Sequence, residues 1–280
     1  MGYRFIMDTS ILHNGLITRL RNAGVVEACN ARRMFFYLTP PMINERSNSL
    51  FKGPLHRDAR GSIRFLIDLR WAGFFNQLGG PKGIISGELE NQNQPHLFYG
   101  DDFVKKARNN LSYFLNRVQL KEQDRSFLRK DFNKKENQKE KLKCLLNRTR
   151  KEKSKDTMNN NFGSFKNENF EKFSIKSIEC MAESKLQESE FVKNWRSDVH
   201  KSPFFNKWVE SKLFVKWYYM NSGRNKKVDK NALSDSEHLL YLLHTDGIVS
   251  HEQGFMRSAC ELLFSDKDYL SVDEFIKKIP

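Results

Sequence analysis

Four carboxylates occupy corresponding places in the chain. Asp8 ends the apolar run Tyr3 to Met7, and Glu45 stands in the first turn of a helix announced by Pro40 and Pro41. Asp235 opens a leucine-rich helix, and Glu252 lies just past the short run Ile248 to Ser250. Acids that converge cannot all stay ionised without a cation. A small set of hard oxygen ligands, completed by water and substrate phosphate, suits Mg²⁺ or Mn²⁺. Such an ion lowers the pKa of a bound water and offsets charge at phosphorus during phosphodiester cleavage.

Convergence requires elements that bring distant residues to one edge. Tyr3 to Met7 and Met34 to Leu38 read as buried strands. Ile11 to Ala31 has helical spacing, and a helix is predicted from about Met42, because Pro is tolerated at a helix start and not inside. The last fifty residues repeat the pattern. Ser234 and Glu237 are spaced as a capping box, Ile248 to Ser250 is a strand, and Phe255 to Leu263 a helix. Tyr269-Leu270 is a final strand, and Ser271 caps a closing helix through Ile276. Strand alternating with helix implies a parallel sheet, whose carboxyl edge collects ligands. The predicted fold class is therefore α/β, with residues 1–54 and 229–280 forming one domain.

Residues 55–228 lack strand alternation and read as a large all-helical insertion. Its helices are predicted at Ile63 to Phe75, Phe103 to Leu146, Phe170 to Trp195 and Phe204 to Tyr219, with loops at Asp156 to Asn169 and Ser222 to Lys230. The aromatics Phe204, Phe205, Trp208, Phe214, Trp217, Tyr218 and Tyr219 are read as core rather than as a base-stacking surface.

The charge is local. Of a net +14, the stretch Val104 to Lys155 carries +12, from 18 Lys/Arg against 6 Asp/Glu. A near-neutral body with one basic arm points to a polyanion, nucleic acid being the commonest, against the plainer reading of a solvated helix face. Lys105, Lys106, Arg108, Arg117, Lys121, Arg125, Arg129, Lys130, Lys134 and Lys135 are the phosphate-neutralising candidates. Apolar runs are too short to span a bilayer, so no membrane partner is expected. No signal peptide is read at the start, and the four cysteines are too far apart in sequence for a metal knuckle. A reducing, cytoplasmic setting is the expectation.

These segments resemble the PIN-domain nucleases. The resemblance lies in Arg4-Phe-Ile-Met-Asp8-Thr9-Ser10-Ile11-Leu12, in Leu38-Thr-Pro-Pro-Met-Ile-Asn-Glu45, and in Asp235 ahead of its leucine-rich helix. It continues in Ile248-Val249-Ser250-His251-Glu252 and Tyr269-Leu-Ser-Val-Asp-Glu-Phe275, about 100 residues in all, in family order. It implies a three-layer α/β/α PIN-like parallel sheet and a metal-dependent endoribonuclease using Mg²⁺ or Mn²⁺. Asp8, Glu45, Asp235 and Glu252 would be the catalytic metal-binding acids, with Thr9, Ser10 and Ser250 in support. The chain departs from the family in having Glu252 where Asp is usual, and in the size of its insertion.

Each residue also has a structural reading. Asp8 could be a turn acid, Glu45 and Asp235 could complement helix dipoles, and Glu237 belongs to the capping box unless it takes the place of Glu252. His238 and His251 are ordinary surface or interface residues on this reading, although each lies beside a proposed acid. Two other functions remain open: a non-catalytic RNA-binding or scaffold protein with a degenerate core, and a DNA-cleaving nuclease. A homodimer or a regulatory protein partner is compatible with the sequence.

Overall fold

The computed structural model of the chain describes residues 2–42, 57–71, 76–77, 80–90, 161–221 and 231–280, with isolated helical positions between 126 and 148. Glu45 and the ten basic candidates from Lys105 to Lys135 lie outside the described residues. The chain forms two compact units. One comprises Met1–Gly79, Phe98–Glu136 and Tyr241–Pro280, and the other Gly80–Leu97 and Asn137–Leu240.

The first unit is built on a five-stranded sheet, all pairs parallel: β1 (Tyr3–Met7), β2 (Met34–Leu38), β3 (Asn76–Gln77), β4 (Gly247–Val249) and β5 (Asp268–Leu270), in the order β3-β2-β1-β4-β5. The expected α/β class with a parallel sheet is met. Central β1 is buried on both faces, with Phe5, Ile6 and Met7 all at 0% exposure. That explains why Phe5, Ile6 and Met7 are all apolar rather than alternating with polar residues. Phe5 packs on Phe36 and Phe275, at ring-centroid distances of 5.6 and 4.7 Å. The predicted helix across residues 11–31 is two, Asn14–Asn22 and Val25–Asn30, broken where Gly24 takes φ 81°. That left-handed conformation favours a residue without a side chain.

The helix Arg57–Trp71 contributes Ile63, Phe65, Leu66, Ile67 and Leu69 to this core. Its Ser62 hydroxyl donates to the Leu12 carbonyl at 2.5 Å, fixing it to the turn that follows Asp8. This helix and β3 belong to the sheet unit, although the sequence places residues 55–79 in the insertion. The helix Ala232–Leu239, expected with the C-terminal part of the sheet domain, belongs to the other unit.

The amino edge of the sheet is held by paired charges. Asp246 accepts from the Arg4 backbone N–H at 2.8 Å and its guanidinium at 2.7 Å. Asp268 accepts from the Tyr3 hydroxyl at 2.7 Å and the Lys278 ammonium at 2.6 Å. At the far end Ser271 and Glu274 form the anticipated capping role as a full capping box on Val272–Ile276.

The second unit is helical among its described residues: Pro81–Leu89, Phe162–Met181, Lys185–Ser197, Pro203–Asn221 and Ala232–Leu239. Phe204, Phe205, Phe214 and Tyr219 are each at most 1% exposed, in keeping with a core role. The segment read as a loop up to Asn169 turns helical at Phe162, because the Asn161 side chain accepts from the Gly163 N–H and caps the helix.

Candidate functional site

The register of the sheet builds the site. Met7 pairs with Val249, so the next residues, Asp8 and Ser250, emerge side by side at the carboxyl edge. The Asp8 N–H extends the ladder to the Val249 carbonyl at 2.9 Å, and the Ser250 N–H reaches the Leu270 carbonyl at 2.9 Å. Ligands collect at this edge of parallel sheets, where strands end and loops begin.

Asp8 is only 5% exposed. Its Oδ2 accepts from the Ser250 hydroxyl at 3.0 Å and from the Ser10 hydroxyl. The two serine hydroxyls stand 3.5 Å apart. A buried carboxylate costs several kcal/mol unless its charge is met by donors or a cation, so the serines fix its orientation and offset part of that cost. Ser10 reaches Asp8 through a single 3-10 turn, Thr9–Ile11, begun by the extended backbone of Asp8. Thr9 is half-buried in the same turn.

Ser250 is the hub. Besides donating to Asp8, its Oγ accepts the Glu252 N–H at 3.1 Å, while Ser10 Oγ accepts the His251 N–H at 3.1 Å. The segment 250–252 is thereby folded back over the end of β1. Glu252 is half-buried, and its Oε1 accepts the Met256 N–H at 3.2 Å in the first turn of Phe255–Leu263. The Tyr269 hydroxyl donates to the Glu252 carbonyl at 2.5 Å. Burial raises the Tyr269 pKa and the charges of Asp8 and Glu252 raise it further, opposed by a hydrogen bond with Ser250. Tyr269 therefore stays a neutral donor at this acidic edge.

The structure thus brings together Asp8, Ser10, Ser250 and Glu252. Asp235 lies in the first turn of Ala232–Leu239, in the helical unit. That helix is preceded by Asn231, with Ser234 inside it, so the predicted capping box does not form. Glu237 is engaged instead by the Lys212 ammonium at 2.8 Å. His238 is buried, and His251 is exposed. One contributor was missed by the sequence reading: Tyr269 was read only as strand.

The donor set available to a cation is the Asp8 carboxylate, with Glu252 on the following segment and serine hydroxyls around them. These are hard oxygens suited to Mg²⁺ or Mn²⁺. Among the described residues no group of three or more His, Cys, Asp or Glu side chains is gathered for metal binding. Water and substrate oxygens would therefore have to fill much of a shell anchored here, as is usual for Mg²⁺.

No helix among the described residues is long and apolar enough to cross a membrane. No protein-family model, curated protein or solved structure matches the chain.

Proposed function

We propose that this chain is a metal-dependent endoribonuclease of the PIN type, hydrolysing RNA phosphodiester bonds at the carboxyl edge of its parallel sheet. The observation that carries this reading is Asp8: a carboxylate 5% exposed at the end of the central strand, oriented by the hydroxyls of Ser10 and Ser250. A turn acid needs no such burial, and a helix cap would face an amide terminus. An anchored carboxylate with fixed lone pairs is what a divalent ion requires.

In this reading Asp8 is the principal ligand and Glu252 a second. Glu45, outside the described residues, is the further acid that the family resemblance implies for this edge. Mg²⁺ or Mn²⁺ would supply a hydroxide-like nucleophile and charge stabilisation at phosphorus. Ser10 and Ser250 hold the Asp8 carboxylate, and Thr9 shapes the turn that carries Ser10. The basic residues from Lys105 to Lys135 would hold the RNA backbone without reading sequence. A reducing cytoplasmic setting is part of this reading.

The test is incubation with labelled RNA and DNA in Mg²⁺, Mn²⁺ or EDTA, comparing the native chain with Asp8→Asn. Metal-dependent RNA cleavage lost in the variant is the expected result, and cleavage that survives both EDTA and Asp8→Asn overturns the reading. One observation favours a second function. The Glu252 carboxylate serves the N-terminus of Phe255–Leu263 through the Met256 N–H, a helix-capping role that a non-catalytic RNA-binding protein with a degenerate PIN core would retain. Tight RNA binding without cleavage would select that alternative.

A further inference from the structure

A cleft of about 500 Å³ opens between the helices Asn14–Asn22 and Arg57–Trp71, lined by Ile17, Thr18, Arg21, Gly61, Arg64 and Asp68. We infer that it binds one phosphodiester of a single-stranded RNA whose scissile bond lies at Asp8, an inference that rests on the ribonuclease reading above.

The chemistry of the lining selects the ligand class. Arg64 is exposed and makes no ion pair among the described residues. Arg21 is held from two sides: its guanidinium bonds Asp68 and lies over the Phe65 ring, 5.2 Å from the centroid. Arg64 is available among the described residues, and Arg21 is prepositioned, so Arg21 loses little side-chain entropy on ligation. Two guanidinium groups against one carboxylate leave the cleft with a single positive charge. That balance matches the single negative charge of a phosphodiester, while Asp68 repels a dianionic phosphate. Guanidinium forks suit phosphate oxygens through paired hydrogen bonds. The Ile17 side chain, 5% exposed, gives the cleft an apolar floor on which a sugar or base face can rest.

The position of the cleft fits a strand running to the catalytic edge. Ser62 fastens one wall to Leu12, in the turn beyond Asp8, and Gly61 and Arg64 flank that serine. Along the other wall Thr18 and Arg21 stand four and seven residues beyond Asn14, where that helix starts, about 6 and 10 Å along its axis. A strand in this cleft therefore continues toward the Asp8 edge.

The test uses the full chain carrying Asp8→Asn, to hold RNA uncut, and fluorescence anisotropy of a labelled single-stranded RNA across a salt series. Adding Arg64→Ala should weaken binding about five- to tenfold at ~0.1 M salt and flatten the log-log salt slope by about 0.7. Lys277→Ala, an exposed lysine outside the lining, should leave both unchanged. An unchanged affinity and slope with Arg64→Ala, an equal loss with Lys277→Ala, or no RNA binding by the parent chain each overturns the cleft. Inorganic phosphate should not displace the RNA at matched ionic strength, and displacement that depends on Arg64 would make free phosphate the ligand and overturn the diester. Cleavage by the Asp8-intact chain is read separately. Arg64-dependent binding without cleavage sinks the nuclease and keeps the cleft, whereas cleavage indifferent to Arg64→Ala does the reverse.

Discussion

The Ser250 hydroxyl donates to Asp8 Oδ2 at 3.0 Å across 242 positions of sequence. Neither residue's neighbours in sequence could create that contact; the parallel pairing of β1 with β4 does, by setting Met7 opposite Val249. The same oxygen of Ser250 accepts the Glu252 N–H, so one hydroxyl orients the buried acid and positions the next candidate ligand.

Ser250→Ala should therefore do two things at once. It removes one donor to a buried carboxylate and leaves the Glu252 amide without this acceptor, costing about 1–3 kcal/mol of stability. It should also weaken Mg²⁺ or Mn²⁺ binding by about 10- to 100-fold, the usual effect of losing a residue that orients a metal ligand. Urea unfolding and metal titration by calorimetry measure the two separately. A stability loss with unaltered metal affinity would leave Ser250 as a purely structural clasp.

Gly247→Ala tests the sheet itself. A Cβ at Gly247 would collide with the Tyr3 hydroxyl and come within 2.8 Å of the Asp268 Cβ and 2.9 Å of its carbonyl oxygen. Backbone must shift to admit it, and Tyr3 must release Asp268. Overpacking of this kind costs about 1–3 kcal/mol. Thermal unfolding should show the loss, and Tyr3→Phe combined with Gly247→Ala should recover part of it. A neutral Gly247→Ala would contradict the β1-β4-β5 order.

How much of this was legible without coordinates follows from where each contact originates. The strands Tyr3–Met7 and Met34–Leu38 and the Ser271 cap are local patterns of burial and capping, so composition and spacing reveal them. The role of Ser250 depends on register between distant strands, and a sequence reading can name it only as support for Asp8. Ser234 and Glu237 have capping-box spacing, but the helix starts at Ala232 and Glu237 is taken by Lys212 from another helix, a tertiary contact overriding a local motif. Asn76–Gln77 pairs with β2 as a two-residue polar strand, too short for any alternation to register.

Glu88 should make the stability of the helical unit fall as pH rises. Its carboxylate is 4% exposed and accepts the Phe204 and Phe205 N–H groups, at 3.0 and 2.8 Å, at the start of Pro203–Asn221. Burial raises its pKa from 4.5 to about 6, against the lowering effect of those two bonds. A group that holds its proton more tightly when folded contributes stability that is complete below about pH 4.5 and is lost as pH climbs through about 6, a change of about 2 kcal/mol. Glu88→Gln should flatten the stability profile across that window. Tryptophan fluorescence during urea unfolding reads it, because Trp195, Trp208 and Trp217 all lie in this unit. A variant with the parent's slope between pH 4.5 and 6 would show that Glu88 titrates as an ordinary exposed acid.

His244 gives the sheet unit the opposite dependence. Burial lowers its pKa from 6.5 to about 4, and the nearby charges of Lys267 and Arg4 add to the effect. The folded state keeps the imidazole neutral while the unfolded chain binds a proton below about pH 6.5. Stability from this group is therefore intact above that pH and is lost progressively as pH falls toward 4, by at most about 3 kcal/mol. The His244 ring should titrate near pH 4 by NMR. Amide exchange at β1 and β4 should accelerate across this range in the native chain more than in His244→Gln. Because Glu88 strengthens its own unit over the same acid range, exchange should rise in the strands before it rises in Pro203–Asn221. Equal acceleration in both would mean that neither buried group governs the acid response.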